Sequence, residues 1–153
     1  MMSMALETVY QGLDLGLGLA RAVGFLRNRR EHTYAAKMGF GAGVRHLIPR
    51  MTFEDRFQPN VFHAALSHDR VVFIENTRDP DFAPRLPAWW KVKLASARSF
   101  VILPLCRDGQ PVGFIYGDWD DERYQMPLAH VQFTQLGELR ALERRQQLEA
   151  REA

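Results

Sequence analysis

A chain of 153 residues with 46% hydrophobic content is long enough for one domain whose core needs no covalent staple. Its 20 basic and 18 acidic residues leave a net charge of +2, too even a balance for the basic face that nucleic acid or an anionic membrane requires. The single cysteine, Cys106, excludes an internal disulfide and a CxxC metal knuckle, and no apolar run reaches bilayer length, so a cytoplasmic protein is expected.

Residues 1–7 lack the basic region and apolar stretch of a secretory signal. Leu6, Val9, Tyr10, Leu13 and Leu17 recur at three or four residues and predict an amphipathic helix ending near Gly16. Residues 19–26 read as a strand, with Leu19, Val23 and Phe25 on one face and Ala20, Ala22, Gly24 and Leu26 on the other. A polar turn, Asn28-Arg29-Arg30-Glu31, returns the chain into a second strand over 33–38. Gly39-Phe40-Gly41-Ala42-Gly43 then reads as a flexible loop.

Residues 53–68 have roughly helical spacing, with Phe57, Val61, Phe62 and Leu66 as the apolar set and Pro59 near the helix start. Val71-Val72-Phe73-Ile74 is a short β-branched run that reads as a buried strand. Residues 76–87 hold Pro80, Pro84 and Pro87 and read as loop, followed by a short helix over 88–95 carrying Trp89 and Trp90.

The strongest local signal is the hairpin over 99–119. Asp108-Gly109 supplies the positive backbone angles of a tight two-residue turn. On the first arm Phe100, Ile102 and Pro104 oppose Val101, Leu103 and Leu105. On the second, Val112, Phe114 and Tyr116 oppose Ile115 and Trp119. A strand apolar on both faces is covered on both, so this hairpin is expected inside its sheet. Pro127 opens a last helix with Leu128, Val131, Leu136, Leu139 and Leu142 as its stripe. Residues 138–153 hold four Arg and four Glu, a solvated or coiled-coil-like pattern. The expected division is one domain over 1–143 and a polar helical extension over 144–153. A chain that starts and ends in helices is expected to be a piece of a longer protein.

Three segments carry a family resemblance: the Gly39–Gly43 loop after the first hairpin, Asp79-Pro80-Asp81-Phe82 after the third strand, and the 99–118 hairpin with Leu103-Pro104-Leu105 and Pro111-Val112-Gly113. In this order they resemble the GAF domain, a sensory module related in shape to PAS, over roughly residues 6–142. Pro87-Ala88-Trp89-Trp90 and Ile115-Tyr116-Gly117-Asp118 look like the GAF-like region C-terminal to HDOD domains in bacterial signalling proteins. The resemblance implies an α+β fold with a central antiparallel sheet. Terminal helices would lie on one face and a loop-covered small-molecule pocket on the other. It also implies a regulatory role, often in a homodimer, beside an upstream signalling domain.

The chemistry that residues 1–153 can carry is narrow. Asn76-Thr77-Arg78-Asp79 is too short for the cyclic-nucleotide signature of some GAF domains. Cys106 is a candidate redox centre or chromophore attachment point, but it has no resolving thiol, and a strand-end role is the plainer reading. His63 and His68 stand five apart, off the three-or-four spacing of helical zinc ligands. Asp118, Asp120, Asp121 and Glu122 are out of register for a calcium loop and read as a solvated turn. No nucleophile–base pair is evident, so an enzyme is not expected. Residues 78–98 carry five cations against two acids beside Trp89 and Trp90, a setting suited to a flat anionic ligand. Phe73, Trp89, Trp90, Arg98 and Tyr116 are the expected ligand-binding residues, with the ligand and any cofactor unidentified. The alternatives are a degenerate module with a filled pocket that serves dimerisation or docking, and a small redox enzyme centred on Cys106.

Overall fold

The computed structural model of the chain describes residues 19–121. In chain order the elements are β1 (Arg21–Asn28), β2 (Thr33–Gly41), α1 (Val44–Leu47), β3 (Thr52–Glu54), α2 (Val61–His68), β4 (Val72–Ile74), α3 (Ala88–Lys93), β5 (Ser99–Arg107) and β6 (Gln110–Trp119). The strands form one antiparallel sheet in the order β3-β2-β1-β6-β5-β4. The α+β architecture expected from the sequence is the one observed. The predicted helices before Leu19 and after Asp121, the 143/144 boundary and the tail lie outside the described residues.

The β5–β6 hairpin sits inside the sheet, between β1 and β4, as its two apolar faces require. Its turn has φ 54° at Asp108 and φ 75° at Gly109. A Cβ on Gly109 would meet nothing, whereas one on Gly41 (φ 116°) would run into the Ala20 carbonyl oxygen. Gly109→Ala should therefore cost about 1 kcal/mol of stability from backbone conformation alone. Gly41→Ala should cost clearly more; urea unfolding of the two variants checks the ranking.

Each face of the sheet carries its own buried cluster. The first gathers Val23, Phe25, Tyr34, Phe53, Phe62, Trp90, Phe100, Phe114 and Tyr116, and all three described helices contribute to it. The second gathers Leu19, Ala22, Val101, Leu103, Leu105, Ile115 and Trp119. Two register shifts redirect side chains between them. Between Gly24 and Phe25 the pairing passes over Lys37, and between Leu105 and Cys106 it passes over Val112. An unpaired extra residue breaks the two-residue alternation. Met38 and Val112 consequently pack on the second cluster, and Val112 does not share a face with Phe114 and Tyr116 as simple alternation predicts.

Several other expectations are corrected. Leu19 precedes β1 and packs beside Ala22, not with Val23 and Phe25. The glycine-rich segment is not a loop throughout: Gly39-Phe40-Gly41 ends β2, where a Cβ on Gly39 would strike Val44 of α1. Phe53 belongs to β3, and Phe57 is 62% exposed because the helix begins only at Val61, capped by Asn60. β4 is an edge strand with half-buried Val72 and Phe73.

Candidate functional site

Alternation along the strands aims Phe25, Phe53, Phe100, Phe114 and Tyr116 at the same side of the sheet, where α2 and α3 lie across them. Adjacent residues on a helix point about 100° apart, so Trp89 and Trp90 enter different places. Trp89 packs among three phenylalanine rings. It stacks on Phe53 at 5.0 Å with an interplanar angle of 4° and meets Phe62 at 4.8 Å and Phe25 at 5.8 Å. Phe25 in turn stacks on Phe114 at 4.4 Å, forming the floor. Trp89 is half-buried, while Trp90 is 3% exposed and packs on Phe100 at 5.4 Å.

Trp90 starts a polar chain beneath the helix. Its Nε1–H donates to the Tyr116 hydroxyl at 3.1 Å, which donates to Asp118 Oδ2 at 2.7 Å. Arg21 Nε donates to both Asp118 oxygens at 3.2 and 3.0 Å, with Nη2 2.9 Å from Oδ2. Arg21 Nη2 also donates to Ser96 Oγ at 3.1 Å, in the segment leaving α3. Asp118 and Tyr116 are fully buried. Burial, then the charge of Asp118, pushes the Tyr116 hydroxyl well above its ordinary range, so it remains a donor. Burial raises the Asp118 carboxyl above the usual carboxylate range against the pull of Arg21. Burial also works against the Arg21 charge, but Asp118 outweighs it and the guanidinium is held above its ordinary value.

Of the five expected ligand-binding residues, the structure brings Trp89, Trp90 and Tyr116 to one face. Phe73 is on the other, packed edge-on to Trp119 at 5.8 Å in the second cluster. Arg98 is half-buried just before β5, where its backbone N–H donates to the Trp119 carbonyl oxygen at 2.7 Å. Two of the cations expected near the Trp pair are engaged by an acid: Arg78 makes a two-pronged contact with Asp121, both bonds 2.9 Å, and Arg98 reaches the same carboxylate at 3.9 Å. The ring contacts of Trp89 are with Phe25, Phe53 and Phe62.

Sequence reasoning missed Asp118 and Arg21. Asp118 was grouped with a solvated acidic turn, yet it lies two residues beyond Tyr116 on a strand, hence on the same buried face. Arg21 stands likewise to Val23 and Phe25. Cys106 lies partly exposed beside the register shift at the turn end of β5. His63 is buried, its ring nitrogens 3.2 Å from Asn60 Oδ1 and 2.9 Å from the Glu54 carbonyl oxygen, which suits a structural role. Among the described residues no group of three or more His, Cys, Asp or Glu is placed to hold a metal ion, and no helix is long and apolar enough to cross a membrane. A separate open cleft of about 310 Å³ lies by the β1–β2 turn, lined by Glu31, His32, Glu54, Asp55 and Arg56. Its Asp55 is bound to Arg27 at 3.1 Å.

No protein-family model matches the chain, and a search of curated proteins finds no match. Solved structures do match in fold. The GAF domain/HD domain protein from Geobacter sulfurreducens aligns with a TM-score of 0.63 at 11% identity, over 96% of this chain and 94% of that one. The GAF domain of a phosphoenolpyruvate-protein phosphotransferase from Acinetobacter aligns at 0.58 and 15%, over 88% and 78%. Free methionine-R-sulfoxide reductase from Neisseria meningitidis, solved with its substrate, aligns at 0.60 and 15%, over 91% and 74%. At these identities the shared property is the GAF-like fold.

Proposed function

We propose that the chain is a regulatory module of the GAF type whose small-molecule face is filled by its own side chains, and that it relays or docks rather than catalyses. The observation that carries this is the Trp89 ring, stacked at 5.0 Å on Phe53 in the aromatic slot. A ligand entering from the α3 side has to displace that ring. The fold, shared with domains named from sensor and phosphotransferase proteins, supports the regulatory half of the reading. In this proposal the output belongs to a neighbouring signalling domain in the cytoplasm, an HDOD unit being the one the sequence resemblance suggests. A homodimer forms through the terminal segments that carry Leu6, Val9, Leu13, Leu136, Leu139 and Leu142.

One observation favours a second reading, in which the slot accepts a ligand. Trp89 is half-buried while Trp90 beside it is sealed, so Trp89 is the ring that can leave. Trp fluorescence of the purified chain, titrated with cyclic nucleotides and with small flat aromatics, separates the two. Unchanged emission is expected of a filled slot; saturable quenching establishes the ligand-binding reading instead. Incubation with free methionine-R-sulfoxide and a thiol reductant is expected to give no turnover. Turnover that disappears in Cys106→Ser overturns the non-enzymatic reading. Light scattering of the whole chain should give a dimer, and a monomer at high concentration removes the dimer from the proposal.

A further inference from the structure

The polar chain under α3 is out of proportion to any need for stability. Burying an Arg–carboxylate pair gains little over apolar residues of the same volume, because both ions lose their water. The arrangement is nonetheless complete. Asp118 receives Arg21 and Tyr116, Tyr116 receives Trp90, and Arg21 turns back to Ser96 just beyond α3. The circuit therefore leaves α3, crosses β6 and β1, and returns to the segment that follows α3. That segment is also fixed by backbone bonds: Arg98 N–H to Trp119 O at 2.7 Å, and Thr77 N–H to Arg98 O at 3.0 Å. At the other end of the circuit, Ala20 N–H donates to Asp118 O at 2.7 Å.

We propose that the chain Trp90–Tyr116–Asp118–Arg21–Ser96 is a coupling device that ties the position of α3 to the paired start of β1 and end of β6. Trp89 and Trp90 are adjacent on one helical turn, so a shift of α3 that lifts Trp89 from its slot carries Trp90 with it. The Tyr116 hydroxyl oxygen then loses its donor, and a hydroxyl that accepts one bond less donates the next one more weakly. Water reaches the Asp118 carboxylate, and its hold on Arg21 loosens. A change at the aromatic slot is in this way felt where residues 1–18 and 122–153 join the sheet. This deepens the regulatory reading above and supplies its internal transmission step.

Hydrogen exchange on the full chain tests it, with Trp90→Phe as the probe because that change keeps an aromatic ring while removing the donor; the volume it also removes is accounted for by the Tyr116→Phe background below. Exchange at Ala20 and Arg98, the strand-end amides, should rise roughly tenfold, and at Arg107 and Gln110, by the hairpin turn, less than about twofold. In a Tyr116→Phe background, where the link is already cut, adding Trp90→Phe should change Ala20 and Arg98 by less than about twofold. Acceleration confined to α3 amides such as Leu94 overturns the proposal. So does equal acceleration at the hairpin turn, or an undiminished effect in the Tyr116→Phe background. Should the double variant not fold, Tyr116→Phe alone decides: both Leu94 and Ala20 must speed up, and a response at only one of them overturns the coupling. No ligand or partner enters this experiment. Its failure therefore removes the device and leaves the regulatory reading standing, whereas turnover on the sulfoxide removes that reading and leaves the device untouched.

Discussion

Trp89→Ala will lower stability by about 2–3 kcal/mol, and indole will restore part of the loss to the variant while leaving the original chain unchanged. A fully buried Trp truncated to Ala costs about 3–5 kcal/mol, and the half exposure of Trp89 reduces that. What remains is a slot walled by Phe25, Phe53 and Phe62 with no polar group in the ring contacts that define it. An apolar recess of this kind takes up aromatic molecules of matching shape. A ligand that binds only the folded state raises the melting temperature with its concentration. Thermal unfolding of both proteins with and without indole checks this. An equal response in both would show that the slot is open in the original chain, and no response in the variant would show that α3 has collapsed into the gap.

Arg21→Ala will be the more damaging change, at about 3–5 kcal/mol near neutral pH, because it strands a fully buried carboxylate. The loss should shrink on acidification. Burial already raises the folded-state Asp118 carboxyl above its ordinary value of 3.8. A group raised in this way favours the folded state below its unfolded pKa, and that contribution is lost as pH rises through the folded value. Removing Arg21 takes away the partner that opposes the rise, so the variant's window extends further upward. Urea unfolding across the acid range should show the two proteins converging as pH falls. A gap independent of pH would show that Asp118 is not the charge left behind.

These two residues also mark where the sequence was readable and where it was not. The 99–119 hairpin was legible because Asp108-Gly109 and the paired apolar faces act locally. The α+β architecture was implied by the resemblance that this hairpin and the two other motif segments carry. The division of Trp89 and Trp90 between two places followed from helical geometry. Four things escaped. A register shift is a property of two strands together, so nothing in Pro111-Val112-Gly113 alone announced that Val112 would change faces. β3 is three residues long, too short for periodicity, which hid Phe53 from the strand and left Phe57 wrongly in the core. Asp118 was read from its acidic neighbours, although its two-residue spacing from Tyr116 was the better guide. Phe73 fell on the far face because a buried strand without a clear polar side does not reveal which face meets which layer.

The strand order also has a mechanical consequence. β1 and β6 are antiparallel neighbours, with Arg21 opposite Asp118, so the path into the sheet and the path out of it lie side by side at one end. Their backbones there are about 5 Å apart. Tension applied across these two points peels the strands open one rung at a time instead of loading all their hydrogen bonds together. The Arg21–Asp118 pair sits at the mouth of this zipper beside the Ala20 N–H to Asp118 O bond, so a pull there would load an ion pair and a backbone bond together before the inner rungs of the sheet.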